Sequence, residues 1–217
     1  MQDGSADFTG SGFSDTFGSV AGVFPVADNL SSMNKAFIVA LPDEVGHVAE
    51  IHGHPVFFCG VGKVNASIGI QELMRSGYTD VVNIGSCGSS KHALGEIIRI
   101  GKVHQDIDCS PICSYGHTAF EDDSHTIILD PSSPHSCFTT DYFYDRQQSS
   151  KYSTPYLEMI RNSSVFDMEL YAMAKTCRRY GISLSSYKWV SDDGDHSTWM
   201  ENCLISSGKV IDMLFPG

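Results

Sequence analysis

The fold is decided by residues 80–90, which read DVVNIGSCGSS. The apolar, β-branched run at 81–84 predicts a short buried strand. It leads into Gly85, Ser86 and Gly88, where we expect a tight turn that brings bare backbone close to a neighbour, because glycine has no Cβ. Ligands of open α/β sheets bind beyond the carboxyl ends of the strands. This strand end is therefore a candidate binding edge, although an ordinary strand-to-loop turn would have the same pattern.

Predicted strands and helices alternate on both sides of this segment. We expect strands at 35–41, 56–59, 96–103, 126–129, 138–143 and 184–190, and helices at 42–50, 65–75, 153–159, 167–180 and 199–214. The strongest helix prediction is 167–180, which has apolar residues at helical spacing and ends at Gly181. This order predicts an α/β fold, a single domain with a central mixed β-sheet flanked by helices.

Composition limits the possible partners. The 217 residues suffice for one domain with a substantial core, and 41% hydrophobic and 18% charged residues are typical of a soluble globular protein. A formal net charge of −12 argues against nucleic acid or an anionic membrane surface as a partner. No apolar run reaches the length of a membrane span. The seven cysteines include no Cys-x-x-Cys pair, which favours free thiols and a cytoplasmic location.

Residues 1–32 differ from the rest of the chain. They are rich in Gly, Ser, Phe and Asp, contain no Lys or Arg, and show no helical or alternating period. They also lack the basic start and the continuous apolar run of a signal peptide. We expect a flexible N-terminal extension at 1–32, whose phenylalanines could pack on a partner subunit, and an α/β domain at 33–217.

Four carboxylates lie where predicted strands end or helices begin: Glu44, Asp141, Glu169 and Asp192. Such ends converge on one rim of an α/β sheet, so two or more of these groups could divide acid and base roles if their surroundings separate their pKa values. Acids at helix starts also complement the helix dipole, which is the simpler interpretation of any single one. That interpretation is weakest for Glu169, because apolar residues flank it.

Two clusters resemble metal sites more weakly. The acidic run SDDGD at 191–195 could bind a divalent cation, but it lacks the spacing of a calcium loop. Cys109, Cys113 and His117 have the spacing of a zinc set only in a helix, which Pro111 opposes. The glycine motifs that cradle nucleotide phosphates do not occur. We therefore expect neither a metal nor a cofactor.

Four motifs occur in the order and approximate spacing of one family: GVGKVNA at 60–66, NIGSCG at 83–88, FDME at 166–169 and VSD at 190–192. In these motifs the chain resembles the purine nucleoside phosphorylase and methylthioadenosine/S-adenosylhomocysteine nucleosidase family, over residues 35–214. The resemblance implies the α/β fold given above and an enzyme that breaks the N-glycosidic bond of a purine nucleoside.

The resemblance also implies a role for each matching residue. Three residues are implied to be catalytic: Glu44 activates the attacking water, Glu169 accepts hydrogen bonds from the ribose hydroxyls, and Asp192 supplies a proton or a hydrogen bond to purine N7. The residues implied to bind substrate are Leu41, Ser86, Cys87, Gly88, Phe143, Tyr144, Met168 and Ser191.

The substrate-binding residues have different implied tasks. Ser86 forms the floor of the ribose and nucleophile site, and Met168 packs on the sugar. Phe143 stacks on the base, while the backbone near Tyr144 reads its edge. Ser191 holds Asp192 in place.

The identity of the nucleophile follows from missing cations. Phosphate binding needs Arg or Lys. Phosphorylase relatives carry Arg at the place of Asn83 and another in the loop after the first strand, but residues 40–45 contain no basic residue. We therefore expect hydrolysis of an adenine-type nucleoside such as methylthioadenosine or S-adenosylhomocysteine, in purine or methionine salvage. A purine nucleoside phosphorylase and a nucleoside-binding protein without catalysis are the alternatives.

Three departures from the family pattern affect the predicted substrate. The segment between the third strand and Phe138 is short, so the loops that shape the 5′ pocket in relatives are reduced or different. Asp167 stands where nucleosidases often have Glu, and residues 193–195 are unusually acidic. Because nucleosidase relatives complete the 5′ pocket with a neighbouring subunit, the expected partners are a purine nucleoside and a second copy of the chain, as a homodimer.

Overall fold

The computed structural model describes residues 34–121, 125–203 and 207–214. The predicted N-terminal extension lies outside these ranges. The strands in the described residues are β1 Lys35–Val39, β2 Glu50–Ile51, β3 His54–Phe58, β4 Asp80–Gly88, β5 Ile97–Arg99, β6 Lys102–Gln105, β7 Ile127–Ile128, β8 Ser136–Thr139, β9 Val165–Asp167 and β10 Ser183–Asp192. The α-helices are α1 Lys63–Arg75, α2 Thr154–Asn162, α3 Leu170–Tyr180, α4 His196–Asn202 and α5 Ser207–Leu214, and two 3-10 helices span Pro42–Val45 and Arg146–Lys151.

Strand β4 is the centre of a mixed sheet. It pairs in parallel with β1 and with β10, and its last residue, Gly88, pairs antiparallel with Phe166 of β9. From β1 the sheet continues through β3 to β2, and from β9 it continues through β8 and β6 to β7. Strand β5 pairs antiparallel with β10. The predicted α/β fold with a central mixed sheet is confirmed.

Helices cover both faces of the sheet, since alternate residues of a strand point to opposite sides. Ile38 of β1 belongs to an apolar cluster with residues of α1 and α3. The adjacent Phe37 belongs to another cluster, with Trp189 of β10 and Val210 of α5. None of the described helices has the length and apolar character needed to cross a membrane.

The glycines at the end of β4 provide close approach rather than a turn. The predicted tight turn is wrong, because β4 continues through Gly85 to Gly88. A Cβ on Gly85 would lie 3.3 Å from Oε1 of Glu44, and a Cβ on Gly88 would lie 2.0 Å from the ring of Phe166. Any side chain at these two positions would displace the groups that border the sheet edge.

Several boundaries differ from those predicted, for local reasons. The helix expected at 42–50 is only the 3-10 helix Pro42–Val45, because Gly46 takes a left-handed conformation with φ of 66°. The strand expected at 96–103 is divided at Gly101, where a Cβ would lie 2.1 Å from the carbonyl oxygen of Ser133. Strand β9 was not predicted, and its last residue, Asp167, is the first residue of the helix predicted at 167–180. Instead α3 begins at Leu170, whose N–H donates to Asp167 at 3.0 Å.

Candidate active site

A pocket opens where β1, β4 and β10 end, at the sheet edge that their carboxyl ends share. Open α/β sheets bind ligands at such an edge. The empty volume of the pocket is about 730 Å³. The lining residues are Ala40, Leu41, Glu44, Val61, Ser86, Cys87, Gly88, Thr140, Tyr142, Phe143, Tyr144, Phe166, Asp167, Met168, Glu169, Asp192, His196 and Trp199.

Glu44 is fixed at the floor of this pocket. It is buried in the 3-10 helix that follows β1. Its Oε1 accepts hydrogen bonds from the backbone N of Ser86 at 2.7 Å and from Ser86 Oγ at 2.6 Å, and its Oε2 accepts one from the N of Leu41 at 3.1 Å. A carboxylate oxygen has two lone pairs, so Oε2 can still accept a hydrogen bond from a water molecule. The carboxylate can thus orient and deprotonate a water at this position.

Glu169 is held on the opposite side by a glycine turn. Its Oε1 accepts a hydrogen bond of 2.8 Å from the N of Gly62, which has a φ of 97° that favours glycine. Its Oε2 accepts a longer one, 3.3 Å, from the N of Met168. Burial, aided by the negative charge of Asp167 and opposed by the positive charge of Lys188, raises the pKa of Glu169 to about 7. The carboxylate form, which accepts hydrogen bonds from hydroxyl groups, therefore predominates only above about pH 7.

The raised pKa predicts how Glu169 affects stability. A carboxyl with a folded-state pKa above its ordinary value of 4.5 destabilises the fold as pH rises from that value through about 7. Glu169→Gln removes this destabilisation. As pH rises from 4.5 to about 7, we therefore expect the melting temperature of the variant to increase relative to that of wild type, by a few degrees. Thermal unfolding over a pH series measures the difference. Glu158→Gln, at an exposed carboxyl on α2, is the control, and a constant Glu169→Gln difference at all pH values would contradict the prediction.

Asp192 ends β10 and faces the pocket from the third side. Its Oδ1 accepts a hydrogen bond from the N of Gly194 at 2.8 Å, and its Oδ2 accepts one from Ser191 Oγ at 2.9 Å. Burial raises the pKa of Asp192, and the hydrogen bonds from Gly194 and Ser191 oppose that shift. A carboxyl whose pKa is raised in this way is better suited to act as a general acid.

A buried ion pair adjoins the pocket carboxylates. Lys188 Nζ is 2.9 Å from Asp167 Oδ2, and both side chains are almost completely buried. Burial alone would lower the pKa of Lys188, but Asp167 and Glu169 outweigh burial and raise it. Asp167 Oδ1 also accepts a hydrogen bond of 2.7 Å from Thr139 Oγ1. Lys188 was not predicted as a site residue, although a lysine within a buried strand is itself a signal, since buried charges need partners.

Aromatic side chains of α4 close one side of the pocket. The ring of Phe143 meets the rings of His196 and Trp199 edge-on, at centroid distances of 5.4 and 5.8 Å. Nε1 of Trp199 donates a hydrogen bond of 3.1 Å to Ser86 Oγ. Because an indole N–H is a donor only, this bond leaves the hydroxyl of Ser86 to donate to Glu44. Neither His196 nor Trp199 was predicted, and only their place after Asp192 signals them in the sequence.

The chain matches the model of a known protein family. The family model described as the phosphorylase superfamily matches residues 42–212. The chain belongs to the phosphorylase superfamily. The resemblance stated from the sequence motifs is thereby confirmed. None of the curated proteins compared with the chain matches it.

Several solved structures share the fold of this phosphorylase-superfamily chain, and nucleosidases are among them. Futalosine hydrolase of Helicobacter pylori is 15% identical, with a TM-score of 0.70 over 84% of this chain and 96% of that one. A mutant methylthioadenosine nucleosidase of Helicobacter pylori, with 5′-methylthioadenosine in its active site, is 14% identical, with a TM-score of 0.72 over 85% and 97%. The 5′-methylthioadenosine/S-adenosylhomocysteine nucleosidase of S. pneumoniae, with a transition-state inhibitor, is 17% identical, with a TM-score of 0.69 over 83% and 96%.

The pocket of this superfamily member contains all the predicted site residues except Ser191. Ser191 is fully buried, and its Oγ contacts the carbonyl oxygen of Cys87 at 3.1 Å and Asp192, so it orients Asp192 without reaching the pocket. Asp141, the fourth carboxylate considered, is not among the lining residues. It is exposed and pairs with Lys63 at 2.8 Å.

The two weaker metal hypotheses find no support in the described residues. No group of three or more His, Cys, Asp or Glu side chains in those residues is arranged to hold a metal ion. Asp193 and Asp195 of the acidic turn instead approach Arg146. Cys109 and Cys113 lie in a segment without helix, and none of the seven cysteines, all within the described residues, forms a disulfide.

Proposed function

We propose that this protein hydrolyses the N-glycosidic bond of an adenine-type purine nucleoside, such as methylthioadenosine or S-adenosylhomocysteine, and releases the free base and the sugar. The observation that carries the proposal is the convergence of Glu44, Glu169 and Asp192 on one pocket. Among the described residues that line it, none is Lys or Arg. Purine and methionine salvage, and a cytoplasmic location for which the free thiols are suitable, belong to the same proposal.

The charges of the pocket suit the charges that develop in glycosidic cleavage. As the bond breaks, negative charge grows on the leaving purine and positive charge on the ribose. Asp192 in its acid form donates to N7 and neutralises the purine, while Phe143 stacks on the base. Glu169 and Glu44 place negative charge beside the cationic sugar, where fixed groups stabilise the transition state more than the ground state.

Water is the proposed nucleophile. Glu44 takes its proton, and Ser86, hydrogen-bonded to Glu44, fixes the direction of the carboxylate. Phosphate would need a cation in the pocket, preferably a bidentate arginine. Asn83, at the place of the phosphorylase arginine, is buried within the sheet and bonds the carbonyl of Ile38 and the hydroxyl of Ser186. Lys188 is not among the lining residues, and it forms a buried ion pair with Asp167.

A substrate panel tests the proposal. Adenosine, methylthioadenosine, S-adenosylhomocysteine, inosine and nucleoside 5′-monophosphates are each incubated with the protein, and the release of free base is measured by chromatography. We expect turnover of at least one adenine nucleoside. Tight binding of one member without release of base from any would contradict hydrolysis and favour a binding protein.

We also propose that the protein is a homodimer. Val64 is 75% exposed on α1, Ile68 lies exposed one turn further along, and Val61, two residues before α1, is exposed and lines the pocket. A second copy of the chain covers this apolar face and completes the pocket beside Val61. The exposed apolar row supports this, because large apolar groups beside a binding site commonly mark an interface.

The oligomer prediction is tested by light scattering at micromolar concentration. Wild type is expected to be a dimer, and Val64→Asp to be a monomer with weaker substrate binding, because a charge at the centre of an apolar interface is costly to bury. Val48→Asp, at another exposed valine, is the control and should leave the dimer intact. A monomeric wild-type protein would contradict the prediction.

A further inference from the structure

Two segments on either side of the pocket are joined by charged side chains. Arg146, which follows the base-facing residues of the loop after β8, donates through Nη1 to Asp193, and its Nη2 lies 3.8 Å from Oδ2 of Asp195. The neighbouring Gln147 donates through Nε2 to the same Asp195 oxygen at 3.3 Å. We call these four residues, Arg146, Gln147, Asp193 and Asp195, the clasp.

The clasp connects directly to Asp192 through one glycine. The N of Arg146 donates to the carbonyl oxygen of Gly194 at 3.0 Å, and the N of Gly194 donates to Asp192 Oδ1 at 2.8 Å. A Cβ on Gly194 would lie 2.8 Å from the ring of Tyr144, so this glycine also permits the loop and the turn to touch. The position of Gly194, and with it the orientation of the Asp192 carboxyl, therefore depends on the loop that carries Arg146.

Stability alone does not explain the clasp. The side chains of Arg146 and Asp193 are 52% and 45% exposed, and an exposed ion pair contributes only about 0–1 kcal/mol. Its contacts are concentrated instead on the two segments that supply Phe143 and Asp192 to the pocket. This arrangement favours a role for the clasp in positioning these two segments.

We propose that the clasp is a positioning device that holds Asp192 against the base-facing loop, so that the carboxyl meets the leaving purine at the right distance. The inference rests on the proposed function. Arg146 and Asp193 act through Gly194 and are positioning residues that do not touch the substrate.

The clasp also sets the charge around Asp192. Asp193 and Asp195 lie in its own turn and oppose its ionisation, and Arg146 faces both from the loop. The pocket lining also contains the carboxylates of Glu44 and Glu169 and the ring of His196, and Lys188 is paired with Asp167. Loss of Asp193 removes an anion from this set, whereas loss of Arg146 removes the cation that offsets it.

Hydrogen exchange tests the clasp without relying on activity. Arg146→Gln, Asp193→Asn and the double variant are compared with wild type for exchange of the backbone amides at 192–199. Arg99→Gln is the matched control, because Arg99 is 54% exposed and bonds Asp130 at 2.7 Å outside the pocket. We expect faster exchange in both single variants and wild-type exchange in the control.

The pH profile of kcat/KM supplies a readout that a merely structural role would not move. The acid form of Asp192 is needed, so activity is lost as pH rises through its pKa. Asp193→Asn should shift this alkaline limb to lower pH and Arg146→Gln to higher pH. Each single variant should lose about 10- to 100-fold in kcat, and the double variant no more than the worse single, because they remove one interaction.

Each outcome decides a different point. Unchanged exchange at 192–199 in both single variants, or alkaline limbs that do not move in opposite directions, would overturn the clasp. A wild-type protein that releases no base from any nucleoside would defeat the proposed function, and the exchange comparison would still decide whether Arg146 and Asp193 hold Gly194 in place.

Discussion

Asp192→Asn is expected to leave the fold intact and to lower the rate of glycosidic cleavage by about 10²–10⁴-fold, the usual contribution of a general acid. The fold should survive because asparagine can keep both hydrogen bonds. Its amide oxygen accepts from the N of Gly194, and its amide nitrogen can donate to Ser191 once that hydroxyl turns. The amide cannot transfer a proton to the purine, so the loss falls on the chemical step.

Steady-state release of base, with circular dichroism as the check on folding, measures this effect. Asp141→Asn is the matched control, because Asp141 also follows a strand but lies exposed outside the pocket, and its rate should equal that of wild type. A wild-type rate in Asp192→Asn, on the substrate that the protein turns over, would remove Asp192 from the mechanism.

Glu44→Gln and Glu169→Gln are expected to fail in different ways, each with a large loss of turnover. Glu169 is proposed to bind the ribose hydroxyls, so its substitution should lower kcat and also weaken substrate binding. Glu44 is proposed to orient the attacking water, which the ground state barely needs. Glu44→Gln should therefore lower kcat with little change in affinity, as expected when an interaction is made only in the transition state.

The comparison needs kcat and a directly measured Kd for both variants, on ribonucleosides and 2′-deoxyribonucleosides. For wild type, kcat and Kd should differ between ribonucleosides and 2′-deoxyribonucleosides. For Glu169→Gln this difference should be much smaller. Both oxygens of Glu44 accept backbone N–H donors, so glutamine keeps only one of these bonds, and thermal unfolding must accompany the kinetics. If Glu44→Gln loses affinity as heavily as Glu169→Gln while turnover persists, Glu44 is a sugar clamp and the base lies elsewhere.

The sequence predicts those parts of the site that depend on local pattern. The apolar run before Gly85 marks the central strand, and Glu44 and Asp192 are found because they lie within three residues of the ends of predicted strands. The close approach of the backbone to neighbouring groups at Gly85 and Gly88 was also predicted, although the tight turn predicted there does not form. These features need only neighbouring residues, and a strand can be recognised from four or five positions.

Long-range pairings are what the sequence could not supply. Glu169 receives its hydrogen bond from Gly62, which is 107 residues away, and the bond from Trp199 to Ser86 spans 113 residues. In the sequence, Lys188 is a charged residue that interrupts a predicted strand. Its partner, Asp167, is identified only in the folded structure. Strand β9 has only three residues and is formed by its pairing with β8 rather than by its own pattern.

The central claim is that water, and not phosphate, attacks the sugar in this pocket. The most direct test is to identify the sugar product by mass spectrometry after turnover in the presence of millimolar phosphate. We expect free sugar, formed at a rate that phosphate does not change, because the described lining residues include no Lys or Arg to bind that anion. A sugar 1-phosphate, or a rate that requires phosphate, would contradict it.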